Sequence, residues 1–447
     1  MKYDIICCLP IIFLLVGIIV TKKLPEMLIL ATILGAIIVN KGGFISGWIG
    51  YLYQVLSDDS FQFLVLILFG FGAMLTNFEK SGALLGFSEK LSKFADSQKK
   101  SLFITWLLGA IIFIDDYLNA LAVATTMRNI TDKHGVPREH LAYTVNSMGA
   151  CMCVLIPFTS WAAFMIGVIA DSDMTFIDYC HSIPFMFYPI LGIICSLLLA
   201  LGIIPKIGPM KKAYERVAQG GPTLPVEDGE SPVDFSQSSD VKPAHFMNFI
   251  IPIAALIITM LIFDNDMIHG IFVGLAVQCI MYCVQKLATP VSFVARMMEG
   301  MSEMAGIGFI CLLAFTLSKC NDELGFSEYM VGIFKTFISP SLLPLIVFVL
   351  CGFIAFTSGS FWALVVIVAP IFMPVTFELG VNPCLIVAAM MSGIALGSQS
   401  CFFADAVIMT SAGTGITPVT QVKAILPYVG IVAAISCVLF GICGFVF

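Results

Sequence analysis

The chain has 447 residues, 59% of them hydrophobic and 11% charged, with 22 Lys and Arg against 29 Asp and Glu for a formal net charge of −7. That charged fraction is under half the roughly 25% of an average soluble domain, and apolar stretches recur from end to end. Composition excludes a soluble multidomain enzyme, and the lack of a long Lys/Arg run excludes a nucleic-acid binder. The expectation is an all-α polytopic membrane protein of about ten to twelve spans, with the lipid bilayer as its surroundings.

In chain order, residues 5–20 form the first apolar run. Thr21-Lys22-Lys23-Leu24-Pro25 follows without a small-residue cleavage site, so the run reads as a retained first helix rather than a signal peptide. Lys/Arg-rich loops come at Lys22-Lys23 and in residues 90–100, 128–138 and 206–242. The positive-inside rule puts them on the cytoplasmic side. The acidic stretches 171–178 and 264–266 then face outward.

Residues 101–127 are apolar and lie between two basic loops, so they are expected to enter and leave on one side as a re-entrant hairpin. The middle of that segment reads Phe113-Ile114-Asp115-Asp116-Tyr117-Leu118-Asn119. Polar irregular backbone at such depth is tolerated only where protein or a watery cavity surrounds it. Residues 206–245, rich in Pro, Gly, Ser and acids, read as a flexible linker between a first unit, 1–205, and a second, 246–447. The 15 cysteines include no CxxC pair and no Cys/His cluster. They read as small hydrophobes, not disulfides or zinc ligands.

The two units share order and local sequence. Gly86-Phe87-Ser88-Glu89 recurs as Gly325-Phe326-Ser327-Glu328, and the Phe113 to Leu121 stretch corresponds to Phe356-Thr357-Ser358-Gly359-Ser360-Phe361-Trp362-Ala363-Leu364. Pro157-Phe158-Thr159-Ser160 likewise falls opposite Phe402-Phe403-Ala404-Asp405. Five crossings plus a hairpin per unit make the repeats inverted, each of about five transmembrane helices with one re-entrant hairpin and one discontinuous helix. Inverted repeats with broken helices are an architecture of secondary transporters. A channel would need polar stripes along whole helices, which the sequence lacks.

The expected cation and proton site is Asp115, Asp116, Asn119 and Asp405, with Asp116 and Asp405 as Na+ ligands. Thr159, Ser160, Thr357, Ser358, Ser360, Ser398 and Gln399 are the expected substrate-binding neighbours. Hard cations such as Na+ take oxygen ligands, and no Lys or Arg interrupts these motifs. Two adjacent carboxylates in a dry site resist joint ionisation, so one can exchange a proton. The bland alternatives are an N-cap role for the acid pair, small-residue helix packing at Ser358-Gly359-Ser360, aromatic packing for Trp161 and Trp362, and an interhelical hydrogen bond for Asn146-Ser147. Intramembrane acids are costly and usually functional, which favours a site. Na+ and H+ are the expected transported ions, no cofactor is expected, and a small organic solute and a homodimer stay open.

The run from Phe113 to Leu121 carries a resemblance, together with Met127-Arg128, Thr131-Asp132-Lys133, Arg138-Glu139, Leu141-Ala142-Tyr143 and Pro157-Phe158-Thr159-Ser160-Trp161. With Leu324-Gly325-Phe326-Ser327-Glu328-Tyr329, Ser358-Gly359-Ser360-Phe361-Trp362, Gln421-Val422-Lys423 and Leu426-Pro427-Tyr428, it resembles the NhaC family of sodium/proton antiporters. The resemblance implies Na+/H+ exchange in a prokaryotic plasma membrane, or coupled exchange of an organic acid or amino acid. It departs at Gly397-Ser398, Cys401-Phe402 and Ala404-Asp405-Ala406, where the family typically shows Gly-Asp, Ser-Pro and Ser-Asp-Thr. Ser398 thus stands where a carboxylate is expected, while Asp405 is kept.

Overall fold

A computed structural model describes residues 5–21, 23–113, 115–225, 242–264, 266–326, 329, 339–358, 362–402 and 404–446. Among these residues the regular structure is entirely helical, as a bilayer requires of a chain that must satisfy its backbone groups internally. Among the described residues eight helical stretches are long and apolar enough to cross a membrane, or nine where a pair bent by 54° counts as one span.

The chain opens with α1 (Leu9–Thr21), α2 (Leu24–Asn40), α3 (Phe44–Leu56) and α4 (Asp59–Lys80), then turns through α5 (Ala83–Ser92). The expected hairpin is α6 (Gln98–Ile111) and α7 (Asp116–Lys133). Its outer ends meet: Gln98 Nε2 donates to the Gly135 carbonyl at 3.0 Å, and His134 Nε2 lies 3.1 Å from the Ala95 carbonyl. Entry and exit therefore lie on one side, that of the Lys/Arg-rich loops.

The next span is broken. α8 (Arg138–Leu155) stops and α9 (Ser160–Ile169) resumes after Thr159. Pro157 supplies the reason, because the residue before a proline is pushed out of the helical region; Ile156 is extended at φ −91°, ψ 122°. The bent pair is α10 (Phe176–Ser182) and α11 (Phe187–Ala200).

After residue 242 the chain runs α13 (Met247–Ile262), α14 (Met267–Val284), α15 (Pro290–Leu324), α16 (Leu343–Ser358) and α17 (Trp362–Leu379), and ends with α18 (Pro383–Ser400), α19 (Asp405–Thr414) and α20 (Pro418–Val446). Asn382 caps α18 by accepting from the Cys384 amide at 3.0 Å. α15 ends at Gly325 and α19 at Gly415, whose φ values of 68° and 74° suit glycine at a helix C-terminus.

Burial separates centre from periphery. In an apolar 18-residue stretch of the α18–α19 span 89% of the residues are buried, against 22% in such a stretch of α20, so the broken helices form the interior and that part of α20 faces lipid. Glycines set the closest approaches. Gly72 on α4 meets Gly300 on α15, and Gly393 and Gly397 on α18 lie against Phe348, Cys351 and Ala355 on α16. Without a hydrophobic drive between helices in lipid, such small-residue contacts let backbones approach and gain dispersion energy.

One stretch differs from the sequence expectation. Within the segment read as a flexible linker, α12 (Gly208–Ala218) is helical and docked, with Met210 and Ala213 buried. Arg216 donates to both Glu139 carboxylate oxygens at 2.8 and 3.0 Å. The Tyr214 hydroxyl, which burial keeps protonated, lies 2.6 Å from His140 Nδ1, and Lys206 sits over the Tyr214 ring. The apolar spacing of Met210, Ala213, Tyr214 and Val217 is helical; polar composition further along masks it.

Candidate functional site

The hairpin tip and both helix breaks come together in the interior. Asp116 is the first residue of α7, Ser160 of α9 and Asp405 of α19, while α6, α8 and α18 end nearby. Helix N-termini carry partial positive charge and C-termini partial negative charge. The combination can stabilise carboxylates and also present carbonyls to a cation.

Asp115 and Asp116 are 2% and 1% exposed. Asp115 Oδ2 accepts from the Ser160 hydroxyl at 3.2 Å, and Asp116 Oδ1 accepts from the Trp161 indole N–H at 3.2 Å. Asp116 Oδ2 is buried with no hydrogen-bond partner. The charged groups that act on Asp116 are Asp115 and Asp405, so like charges surround it. The tip packs on α8 beside Gly149, where an added Cβ would meet the Asp116 carbonyl oxygen at 3.4 Å, an ordinary contact distance.

The remaining expected residues divide by role. Asn119 is fully buried and clamps the hairpin, its Nδ2 donating to the Gly109 and Ile112 carbonyls at 2.7 and 2.9 Å. Thr159 caps α9, accepting from the Ala162 amide at 3.0 Å while donating to the Cys153 carbonyl. Its hydroxyl is committed to backbone. Thr357 donates back to the Phe353 and Ile354 carbonyls at 3.0 and 3.1 Å. Ser398 is buried with its Oγ unpartnered. Asp405 is exposed at the start of α19. The Ser358 side chain and Ser360 lie outside the described residues.

Gln399 belongs to a polar clasp between the two broken helices. Asn146 Nδ2 donates to the Gln399 carbonyl at 2.9 Å, Gln399 Nε2 donates to Ser147 Oγ, and the Tyr188 hydroxyl donates to Gln399 Oε1. Asn146-Ser147 thus makes the interhelical hydrogen bond that the sequence suggested. Sequence reasoning gave Trp161 only an aromatic-packing role, not its hydrogen bond to Asp116, and missed Tyr188. The available signal was that a buried indole N–H or phenol hydroxyl needs a partner, and Trp161 follows directly on Ser160.

Comparison with known proteins gives the family and the fold. Residues 152–445 match the Na+/H+ antiporter family. An uncharacterized protein of Haemophilus influenzae is 25% identical, covering 86% of this chain and 79% of its own. The solved YdaH transporter of Alcanivorax borkumensis, described as having an unusual topology, superimposes with a TM-score of 0.60 at 16% identity, over 90% of this chain and 88% of its own. Neisseria gonorrhoeae MtrF, described within a class of antimetabolite efflux pumps, gives 0.61 at 15% identity over 90% and 83%. At such identities the two structures share the fold.

Proposed function

The chain belongs to the Na+/H+ antiporter family, and from that premise we propose that this secondary transporter exchanges Na+ for H+ by alternating access across a prokaryotic plasma membrane. Residues 1–205 and 246–447 act as two inverted repeats around the carboxylate site. Asp116 is the shared ligand of Na+ and the proton, with Asp115 beside it and Asp405 completing the acid set. Ser398 contributes a neutral hydroxyl where the family carries a charge.

The observation that carries the reading is Asp116 Oδ2, a carboxylate oxygen buried without a hydrogen-bond partner among other acids. An uncompensated buried charge costs several kcal/mol. Either a proton or a cation removes that cost, and the two cannot occupy the same oxygen together. The loaded carrier crosses in either form and the empty charged form does not, which makes exchange obligatory. Trp161 holds Oδ1 and so leaves Oδ2 for the ion.

The test is proton flux in proteoliposomes holding a pH gradient and a trapped pH dye. Addition of Na+ is expected to drive protons outward in the wild type and not in Asp116→Asn. Absence of any Na+-driven flux in the wild type, or equal flux in Asp116→Asn, overturns the reading.

A further inference from the structure

On the side of the Lys/Arg-rich loops, α6 begins where α11 ends. The two helices pack together, and the Trp106 indole N–H on α6 donates to the Ile193 carbonyl on α11 at 3.2 Å. Lys99, in the first turn of α6, reaches over the turn that closes α11: its Nζ lies 3.7 Å from where a Cβ on Gly202 would stand. Lys206 comes four residues after Gly202 and stands over the Tyr214 ring, 3.2 Å from the centroid.

These two lysines differ from their neighbours. Lys100 pairs with Asp96 at 2.7 Å and Lys211 with Glu215 at 3.7 Å, each a carboxylate four residues away. Glu139, beneath α12, has both oxygens taken by Arg216. Among the described residues no carboxylate pairs with Lys99 or Lys206. They act on each other instead: burial, and then the charge of Lys99, hold the Lys206 ammonium below the usual lysine range. Each ammonium has three N–H donors, so two neighbouring cations lack an anion between them.

Further into the membrane the same surface is apolar. Phe103 and Trp106 follow Lys99 at four and seven residues, which puts all three on one face of α6. Their rings stack, with centroids 6.2 Å apart and planes 13° from parallel. Phe103, Ile194 on α11 and Ile203 are exposed. Trp106 lies about 10 Å along α6 from Lys99, at the level where tryptophan marks the boundary between headgroups and acyl chains.

We propose that Lys99 and Lys206 bind the phosphate of an anionic glycerophospholipid in the leaflet on the Lys/Arg-rich side, with its acyl chains lying along Phe103 and Trp106. Such a lipid supplies the missing anion and covers the aromatic face at once. A lipid with a choline or ethanolamine headgroup would bring a third cation to the two lysines. A water-soluble phosphate would meet the lysines and leave the apolar face uncovered.

The test uses the full chain in phosphatidylcholine bilayers with no ion gradient, so its outcome is independent of Na+/H+ exchange. Phosphatidylglycerol or phosphatidylcholine with dibrominated chains replaces part of the host lipid. The signal is the bromine quenching of tryptophan fluorescence that is lost in Trp106→Phe. Phosphatidylglycerol is expected to bind beside Trp106 about tenfold or more tightly than phosphatidylcholine, because each lysine facing an anionic lipid contributes about fivefold. Lys99→Gln and Lys206→Gln should each cut that preference about fivefold, while Lys99→Arg and Lys100→Gln keep it. Unchanged thermal unfolding in detergent shows that a variant is folded, and if Lys206→Gln fails that check, Lys99→Gln at its exposed position decides. Equal quenching by the two lipids overturns the proposal. So does as large a loss in Lys100→Gln, which marks diffuse attraction to the basic face, and so does displacement of the lipid by millimolar inorganic phosphate or glycerol phosphate, which marks a site for a free anion.

Discussion

Gly397 offers a sharp test of how the site is held. A Cβ there would lie 2.1 Å from Ala355 Cβ and 2.8 Å from the Ala355 carbonyl carbon and the Phe356 nitrogen. Carbon atoms settle at about 3.5–4.0 Å, so in Gly397→Ala helices α16 and α18 must separate locally by about 1.5 Å. That movement carries Ser398 and Gln399 with it. The 2.9 Å bond from Asn146 to the Gln399 carbonyl would then exceed the about 3.2 Å limit of an N–H···O bond, and the Gln399–Ser147 bond would stretch as well.

Overpacking costs about 1–3 kcal/mol, and each of the two buried hydrogen bonds contributes about 0.5–1.5 kcal/mol. The better helix propensity of alanine offsets about 1 kcal/mol. The expected net loss is about 1–5 kcal/mol, read as a lower midpoint of thermal unfolding in detergent, with reduced Na+-driven proton flux. Gly430→Ala is the control: nothing lies within 4 Å of its added Cβ, so its midpoint should equal or exceed that of the wild type. A Gly397→Ala protein that melts with or above the wild type refutes the close-contact reasoning.

Trp161→Phe removes a hydrogen bond to a charged acceptor, worth about 1.5–3 kcal/mol, and frees Asp116 Oδ1 to turn away from its present position. The half-saturating Na+ concentration for proton flux should rise about tenfold or more, and an unchanged value excludes Trp161 from positioning the carboxylate. In a background cleared of native cysteines, single cysteines at Ser97 and Lys133 should be labelled from the same side of the membrane, because the two ends of the α6–α7 hairpin meet; labelling from opposite faces would make the segment a full span. Arg216→Ala leaves the 6%-exposed Glu139 side chain without its bidentate partner and should loosen α12, so trypsin should cut at Lys211 and Lys212 several-fold faster. Wild-type cleavage rates would mean that the Glu139–Arg216 pair does not hold the helix down.

Some of this was legible because local rules suffice. A 59% hydrophobic chain has to be helical in lipid. Basic loops on both sides of residues 101–127 demand a hairpin, and Pro157 demands a break after α8. The adjacent acids Asp115 and Asp116 stand out because burying charge is costly wherever the chain places them. Tertiary partners were not legible. Thr159 and Asn119 belong to the same polar motifs as Ser160, yet their hydrogen bonds go to the Cys153 carbonyl and to the Gly109 and Ile112 carbonyls, serving the helix break and the hairpin.

The sequence by itself determined the class, the hairpin, the first break and the acid pair, since each follows from composition or from neighbours within one helical turn. Only the tertiary structure decided that Trp161 reaches Asp116, that Gln399 clasps α18 to Ser147 on α8 and to Tyr188 on α11, and that α12 docks on Glu139 and His140. Directional hydrogen bonds between residues far apart in sequence depend on helix positions to within a few tenths of an ångström. Those positions are set by the packing of the whole interior, down to which glycines allow two backbones to touch.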